Sequence, residues 1–115
     1  MVRDPASRSA GVDTYDRVQG NNARFPSLAS FYAGDEQAQA ELLNDALASG
    51  HPGYIASALG VIARARGMSE LAAETGFKRQ QLYRALSEDG NPTLETLTRV
   101  IKALGFRLTV ERDAA

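Results

Sequence analysis

The sequence contains no cysteine, no tryptophan and only one histidine, His51. Without cysteine the chain can form no disulfide, no thiolate metal site and no thiol nucleophile. His51 directly precedes Pro52, and that position is typical of a helix start rather than of a catalytic or metal-binding role. No Ser–His–Asp set, carboxylate pair or metal-ligand spacing is visible either. We therefore expect a protein that is not an enzyme and that binds no cofactor or metal.

Long hydrophobic runs are also missing. No apolar stretch approaches the roughly 20 residues that are needed to cross a bilayer, and no apolar secretory segment is visible near the N-terminus. Hydrophobic residues make up 43% of the 115 residues, a proportion that is ordinary for one soluble domain with a single core. These features predict a cytoplasmic protein, associated with the nucleoid if it binds DNA.

The formal net charge of −1 hides an uneven distribution of charge. Between Thr75 and Ser87 the chain carries three bases, Lys78, Arg79 and Arg84, and no acid. A local basic face is sufficient to meet phosphates even when the whole chain is nearly neutral. The modest total charge predicts modest non-specific affinity for DNA, which dimerisation would increase.

The chain divides into a tail and one domain. Residues 1–24 are polar and rich in Gly, Ser and Asn, which predicts a flexible tail. The domain is predicted over residues 25–115. Its first segment, residues 25–34, carries Phe25, Leu28, Phe31 and Tyr32 and could dock on the domain or on a partner.

Apolar residues at helical spacing, bounded by capping and breaking residues, predict five helices. They are predicted from Asp35 to Gly50, from Pro52 to Gly67, over Glu70–Thr75 after a Ser69 cap, over Lys78–Leu86, and from a Thr93 cap to Gly105. The residues that follow, FRLTVER, alternate between apolar and polar, which predicts one short β-strand. A lone strand leaves its backbone groups unpaired. Pairing with a second protomer, pairing with a partner's sheet and packing back on the domain all remain open.

The segment 68–87, MSELAAETGFKRQQLYRALS, has the pattern of a helix-turn-helix. That motif needs a small residue where the two helices cross, a turn glycine, and apolar residues that bury both helices. Ala72 and Gly76 meet the first two needs. The apolar positions are Leu71, Phe77, Leu82 and Ala85. Thr75 departs from the aliphatic residue that is usual before the glycine.

If Leu82, Ala85 and Leu86 face the core, the opposite side of the second helix points outward. Arginine can contact guanine through two hydrogen bonds and glutamine can do the same with adenine, while the helix starts at Ser69 and Thr93 offer backbone N–H groups to phosphates. The candidate DNA-binding residues are Ser69, Lys78, Arg79, Gln80, Gln81, Tyr83, Arg84, Asn91 and Thr93. The competing interpretation is a solvated face of a helical bundle that binds no DNA.

Two segments flanking this motif carry a more specific resemblance. They are ALASGHPGYIASALGVIARARGM before it and LYRALSEDGNPTLETLTRVIKALG after it. With them, residues 25–112 resemble the HigA-like addiction-module antidote proteins, which have a helix-turn-helix of the Xre or lambda-repressor type. Lys78 departs from the serine that is usual in this family's turn.

The resemblance implies an all-α, five-helix, lambda-repressor-like fold and an antitoxin. It further implies partners: a RelE-like ribonuclease toxin that the protein neutralises, operator DNA through which it represses its own operon, and a second copy in a homodimer. Two recognition helices about one DNA turn apart would suit a palindromic operator. The alternatives are a stand-alone Xre-type transcriptional regulator and a pure protein-interaction inhibitor with no DNA role.

Overall fold

The computed structural model describes residues 28–113, so the tail predicted over residues 1–24 lies outside the described part of the chain. The described residues form six helices: α1 Leu28–Tyr32, α2 Glu36–Ser49, α3 Pro52–Arg66, α4 Met68–Thr75, α5 Arg79–Ala85 and α6 Leu94–Ala103. The prediction of an all-helical protein is therefore confirmed for this part. No helix within it is long and apolar enough to cross a membrane.

Two predicted helix caps are present. The Asp35 carboxylate accepts a hydrogen bond of 3.0 Å from the Ala38 N–H at the start of α2. The Thr93 hydroxyl accepts one of 3.1 Å from the Thr96 N–H at the start of α6. Each satisfies a backbone donor that has no partner inside its helix. Local sequence signals therefore set these two helix starts.

The predicted cap at Ser69 is wrong. Helix α4 begins at Met68, and Gly67 occupies the cap position with a φ of 112° and no side-chain hydrogen bond. Met68 is buried, with 6% of its surface exposed, because it lies on the inner face of α4. A glycine reaches this positive φ without steric cost, so the chain passes directly from α3 into α4.

Helix α3 is the centre of the core. Its residues from Ala56 to Ala63 are all buried, and it packs against α1, α2 and α4. Burying a Leu, Ile or Val side chain contributes roughly 1.5–3 kcal/mol each. Leu59 and Ile62 have no exposed surface, so α3 supplies much of the apolar interior on which the other helices rest.

A buried amide joins the N-terminal helices to α3. Gln39 has no exposed surface; its Nε2 donates to the Tyr32 carbonyl at 2.8 Å and its Oε1 accepts from Arg66 at 3.3 Å. The Arg66 guanidinium also lies 3.8 Å from a Glu36 carboxylate oxygen and 5.9 Å from the centre of the Phe106 ring. Arg66 thus links α2, α3 and the segment that follows α6.

The aromatic segment before α2 docks on the domain. Leu28 and Tyr32 of α1 pack against the core, while Phe31 remains 69% exposed.

The β-strand predicted after α6 does not form within the described residues. Residues 106–113 have no regular secondary structure, although Phe106 packs against the core. A strand needs a neighbour for its N–H and C=O groups, and the helices around this segment use their backbone groups internally.

Candidate nucleic-acid interface

Helices α4 and α5 are joined by a turn over residues 76–78. Gly76 ends α4 in the left-handed conformation, with a φ of 82°, and its N–H donates to the Ala72 carbonyl at 2.9 Å. A side chain at position 76 would meet no atom within 4 Å, so the backbone conformation rather than lack of space requires glycine here.

Thr75, which departs from the usual aliphatic residue, uses its hydroxyl inside the turn. The side chain is buried and donates to the Leu71 carbonyl at 2.8 Å. Its oxygen also accepts a hydrogen bond of 3.3 Å from the Phe77 N–H. The hydroxyl therefore satisfies a backbone donor in the turn that an aliphatic side chain would leave without this partner.

Arg99 of α6 holds the same turn from outside. Its guanidinium donates to the Thr75 carbonyl at 3.2 Å and pairs with Glu95 at 2.7 Å. It also lies 5.1 Å from the centre of the Phe77 ring. The sequence analysis did not identify Arg99. Its only local signal is the spacing of Glu95 and Arg99, which are four residues apart on one helix.

The inner side of α5 is fixed against the core. Leu82 and Leu86 expose 0% and 1% of their surface. The Leu86 carbonyl lies so close to Gly60 of α3 that a Cβ at position 60 would collide with its oxygen. Gly90 allows the following loop to approach the end of α5 in the same way, against the Ala85 carbonyl. Both glycines position α5, and the sequence analysis assigned neither.

The outer side of α5 is exposed, as predicted. We call it the α5 face, and it consists of Lys78, Arg79, Gln80, Gln81, Tyr83 and Arg84. Tyr83 exposes 41% of its surface and the other five residues are also exposed. Because no acidic residue lies between positions 75 and 87, the side chains of this segment offer hydrogen-bond donors and positive charge without a competing carboxylate.

The structure brings three of the candidate residues together. An Arg79 guanidinium nitrogen donates to the Ser69 hydroxyl at 3.2 Å, and the guanidinium lies 5.8 Å from the centre of the Tyr83 ring. Ser69 therefore contacts the α5 face through its side chain rather than capping α4. The beginning of α4 and the outer side of α5 form one continuous surface.

The remaining candidates hold different positions. Lys78 is the N-cap residue of α5 and makes no capping hydrogen bond with its side chain, which leaves its ammonium group exposed. Asn91 is exposed in the loop between α5 and α6. The Thr93 hydroxyl bonds to Thr96 within its own helix. Residues 28–113 contain no group of three or more His, Asp or Glu side chains that could hold a metal ion.

These observations define a small protein that is all-helical over residues 28–113. A glycine turn precedes its helix α5, and the exposed face of that helix is basic and polar. A sequence profile of the family described as probable addiction module antidote protein matches residues 26–112, and the chain belongs to this family. An addiction-module antidote is the antitoxin of a toxin–antitoxin pair, so a toxin is its partner.

A relative from Haemophilus influenzae strain Rd, described as an uncharacterized protein, is 46% identical over 71 residues. The aligned region covers 62% of this chain and 73% of the relative. No solved structure is significantly similar to the chain.

Proposed function

We propose that this antitoxin is also a sequence-specific DNA-binding protein that represses its own operon. In this proposal α4 and α5 are the helix-turn-helix of a HigA-like, Xre-type domain, and α5 enters the major groove of operator DNA. The observation that carries the proposal is the position of α5. Its apolar side is fixed by Leu82 and Leu86, and its exposed side carries no acid.

The α5 face has the chemistry that DNA recognition uses. The Arg79 and Arg84 guanidinium groups suit guanine edges or phosphates, and the amides of Gln80 and Gln81 suit adenine. Lys78 at the start of the helix suits a backbone phosphate. Contacts to phosphates would orient the domain on DNA, while contacts to bases would select the operator.

We further propose that the protein acts as a homodimer on a palindromic operator. One module of this size buries little DNA surface, and the net charge of −1 gives weak non-specific attraction. Two α5 helices presented about one helical turn apart would supply the missing affinity and specificity. Neutralisation of a RelE-like toxin by direct binding, rather than by catalysis, completes the proposed function.

A band-shift titration with the DNA upstream of the gene tests the DNA-binding part. Arg79→Ala should weaken operator binding by roughly 1–3 kcal/mol, which corresponds to a dissociation constant about 5- to 150-fold higher. Lys102→Ala is the matched control, because it removes an exposed positive charge from α6 outside the proposed motif. Ser69→Ala removes the hydrogen-bond partner of Arg79 and keeps the guanidinium itself. It therefore distinguishes a direct contact of Arg79 with DNA from an effect of the Ser69–Arg79 hydrogen bond.

The type of contact is resolved by Arg79→Lys. If Arg79 binds a base edge through two hydrogen bonds, lysine will not restore specific binding, whereas at a phosphate lysine will restore most of it. Wild-type affinity in Arg79→Ala, together with wild-type affinity in Arg84→Ala, would remove α5 from the interface.

Toxin neutralisation is tested separately by co-expression with the neighbouring gene, which the proposal takes to encode the toxin. Arg79→Ala should still rescue growth and co-purify with the toxin, because the proposal assigns Arg79 to DNA alone. Loss of both activities in a folded Arg79→Ala variant would contradict that division.

A further inference from the structure

The segment after α6 carries an apolar side that extends beyond its own domain. Phe106 is half-buried against the core and Leu108 is 41% exposed, whereas Val110 is 97% exposed. In an extended chain these three alternate residues point to one side. The core covers part of Phe106, whereas Leu108 and Val110 are increasingly exposed to solvent.

The same segment is complementary to itself around Thr109. In an antiparallel pair, residues opposite each other have numbers with a constant sum. With Thr109 opposite the second copy's Thr109, each Arg107 faces a Glu111 and each Leu108 faces a Val110. Opposite charges pair on one side of the ribbon and apolar residues pair on the other.

We propose that residues 107–111 form an antiparallel, two-stranded ribbon with the same segment of a second copy, centred on Thr109. This pairing covers Val110, which is 97% exposed, with the second copy's Leu108, which is 41% exposed. A parallel pairing in register would instead place Arg107 against Arg107 and Glu111 against Glu111, which is unfavourable. The inference rests on the proposed homodimer and specifies its interface.

A second copy fits this segment better than the sheet of another protein does. Self-pairing about a two-fold axis is favoured by a segment that is complementary to itself, and Arg107 and Glu111 give this segment that property. Pairing with an unrelated strand does not call for such symmetry. A two-stranded ribbon alone is marginally stable in water. Here each strand is anchored by Phe106 on its own domain, next to the Arg66 guanidinium.

Charge exchange in the full chain tests the register. Arg107→Glu alone, or Glu111→Arg alone, places like charges opposite each other twice per dimer. Each single variant should raise the dimer dissociation constant in sedimentation equilibrium by about tenfold. The double variant restores both opposite-charge pairs and should return to within about threefold of the wild type.

Mixing the two single variants gives a sharper result. A heterodimer of Arg107→Glu with Glu111→Arg contains only opposite-charge pairs, so the mixture should associate more tightly than either variant alone. Glu74→Arg, a charge reversal at an exposed residue of α4, is the control and should leave the dimer unchanged. All of these positions are exposed, and circular dichroism would verify that each variant remains folded.

Three results would overturn the inference: a monomeric full chain, single variants that dimerise as the wild type does, or a double variant and mixture that show no recovery. Single variants that lose toxin binding and keep self-association would assign the segment to the toxin's sheet instead. If the dimer dissociation constant changes with the charge exchange as expected but the protein binds no operator, this interface is supported and the proposed repressor is contradicted. If the protein binds operator and the charge exchange leaves the dimer dissociation constant unchanged, only the proposed interface is contradicted.

Discussion

Gly60→Ala is the most direct test of how α5 is held. Gly60 lies inside α3, where alanine would normally favour the helix by about 1 kcal/mol. The structure predicts the opposite sign, because the new Cβ would collide with the Leu86 carbonyl oxygen and would lie 3.3 Å from the carbonyl carbon. Neither atom belongs to a flexible side chain, so the backbone at the end of α5 must move away from α3.

The expected magnitude follows from these two opposing effects. Overpacking a core lowers the free energy of unfolding by about 1–3 kcal/mol, and a collision with backbone belongs at the upper end of that range. After the gain in helix propensity, a net loss of about 2 kcal/mol remains. For a domain of this size that loss corresponds to a melting temperature lower by about 10 °C.

Urea and thermal unfolding followed by far-ultraviolet circular dichroism measure this loss. Gly53→Ala in the first turn of the same helix is the matched control. Its Cβ would also face a backbone carbonyl oxygen, that of Glu88, but at 3.1 Å it would not collide with it. That contact is tight, and we expect a change below about 1 kcal/mol. If Gly60→Ala is as stable as the wild type or more stable, the close approach of α3 and α5 is refuted.

Two further substitutions test single hydrogen bonds. Thr75→Val keeps the side-chain volume and removes the hydrogen-bond partner of the Phe77 N–H. The free energy of unfolding measured in urea titrations should therefore fall by about 1–2 kcal/mol. A variant more stable than the wild type would show that the hydroxyl is dispensable. Burial, together with the hydrogen bond that the Tyr54 hydroxyl donates to Asp45 at 2.6 Å, raises the pKa of Tyr54 above its usual value of about 10. The unfolded chain therefore ionises this phenol first, and the stability it contributes is present below about pH 10 and lost as the pH rises further. Tyr54→Phe should flatten that alkaline decline, and an unchanged pH profile would contradict the assignment.

The helix starts and the exposed side of α5 could be predicted because their signals are local. Asp35 and Thr93 cap the helices that follow them, and each needs only a backbone N–H three residues away. The outward position of Arg79 follows from the apolar residues that share its helix. Ser69 shows the limit of such signals, because burial of Met68 extends α4 past the residue that local preference would place at its cap.

The residues that position α5 could not be predicted because their partners are distant in sequence. Gly60 matters only where the Leu86 carbonyl meets it, and Arg99 matters only where α6 passes the turn before α5. The alternation after Phe106 was visible, but the chain contains no strand in its described part with which that segment could pair. The alternation alone could not show whether the segment pairs with another strand or packs back on the domain.

The two sides of α5 have different surroundings, because one packs on the core and the other lies in solvent, and this difference bears on how such proteins diversify. The apolar contacts that hold the helix against the core are made by Leu82, Ala85 and Leu86, whereas the described contact of the α5 face with another helix is the Arg79–Ser69 hydrogen bond. Exchanges at exposed positions usually change stability by less than about 0.5 kcal/mol. Substitutions at Gln80, Gln81 or Arg84 can therefore accumulate during evolution with little effect on the stability of the fold.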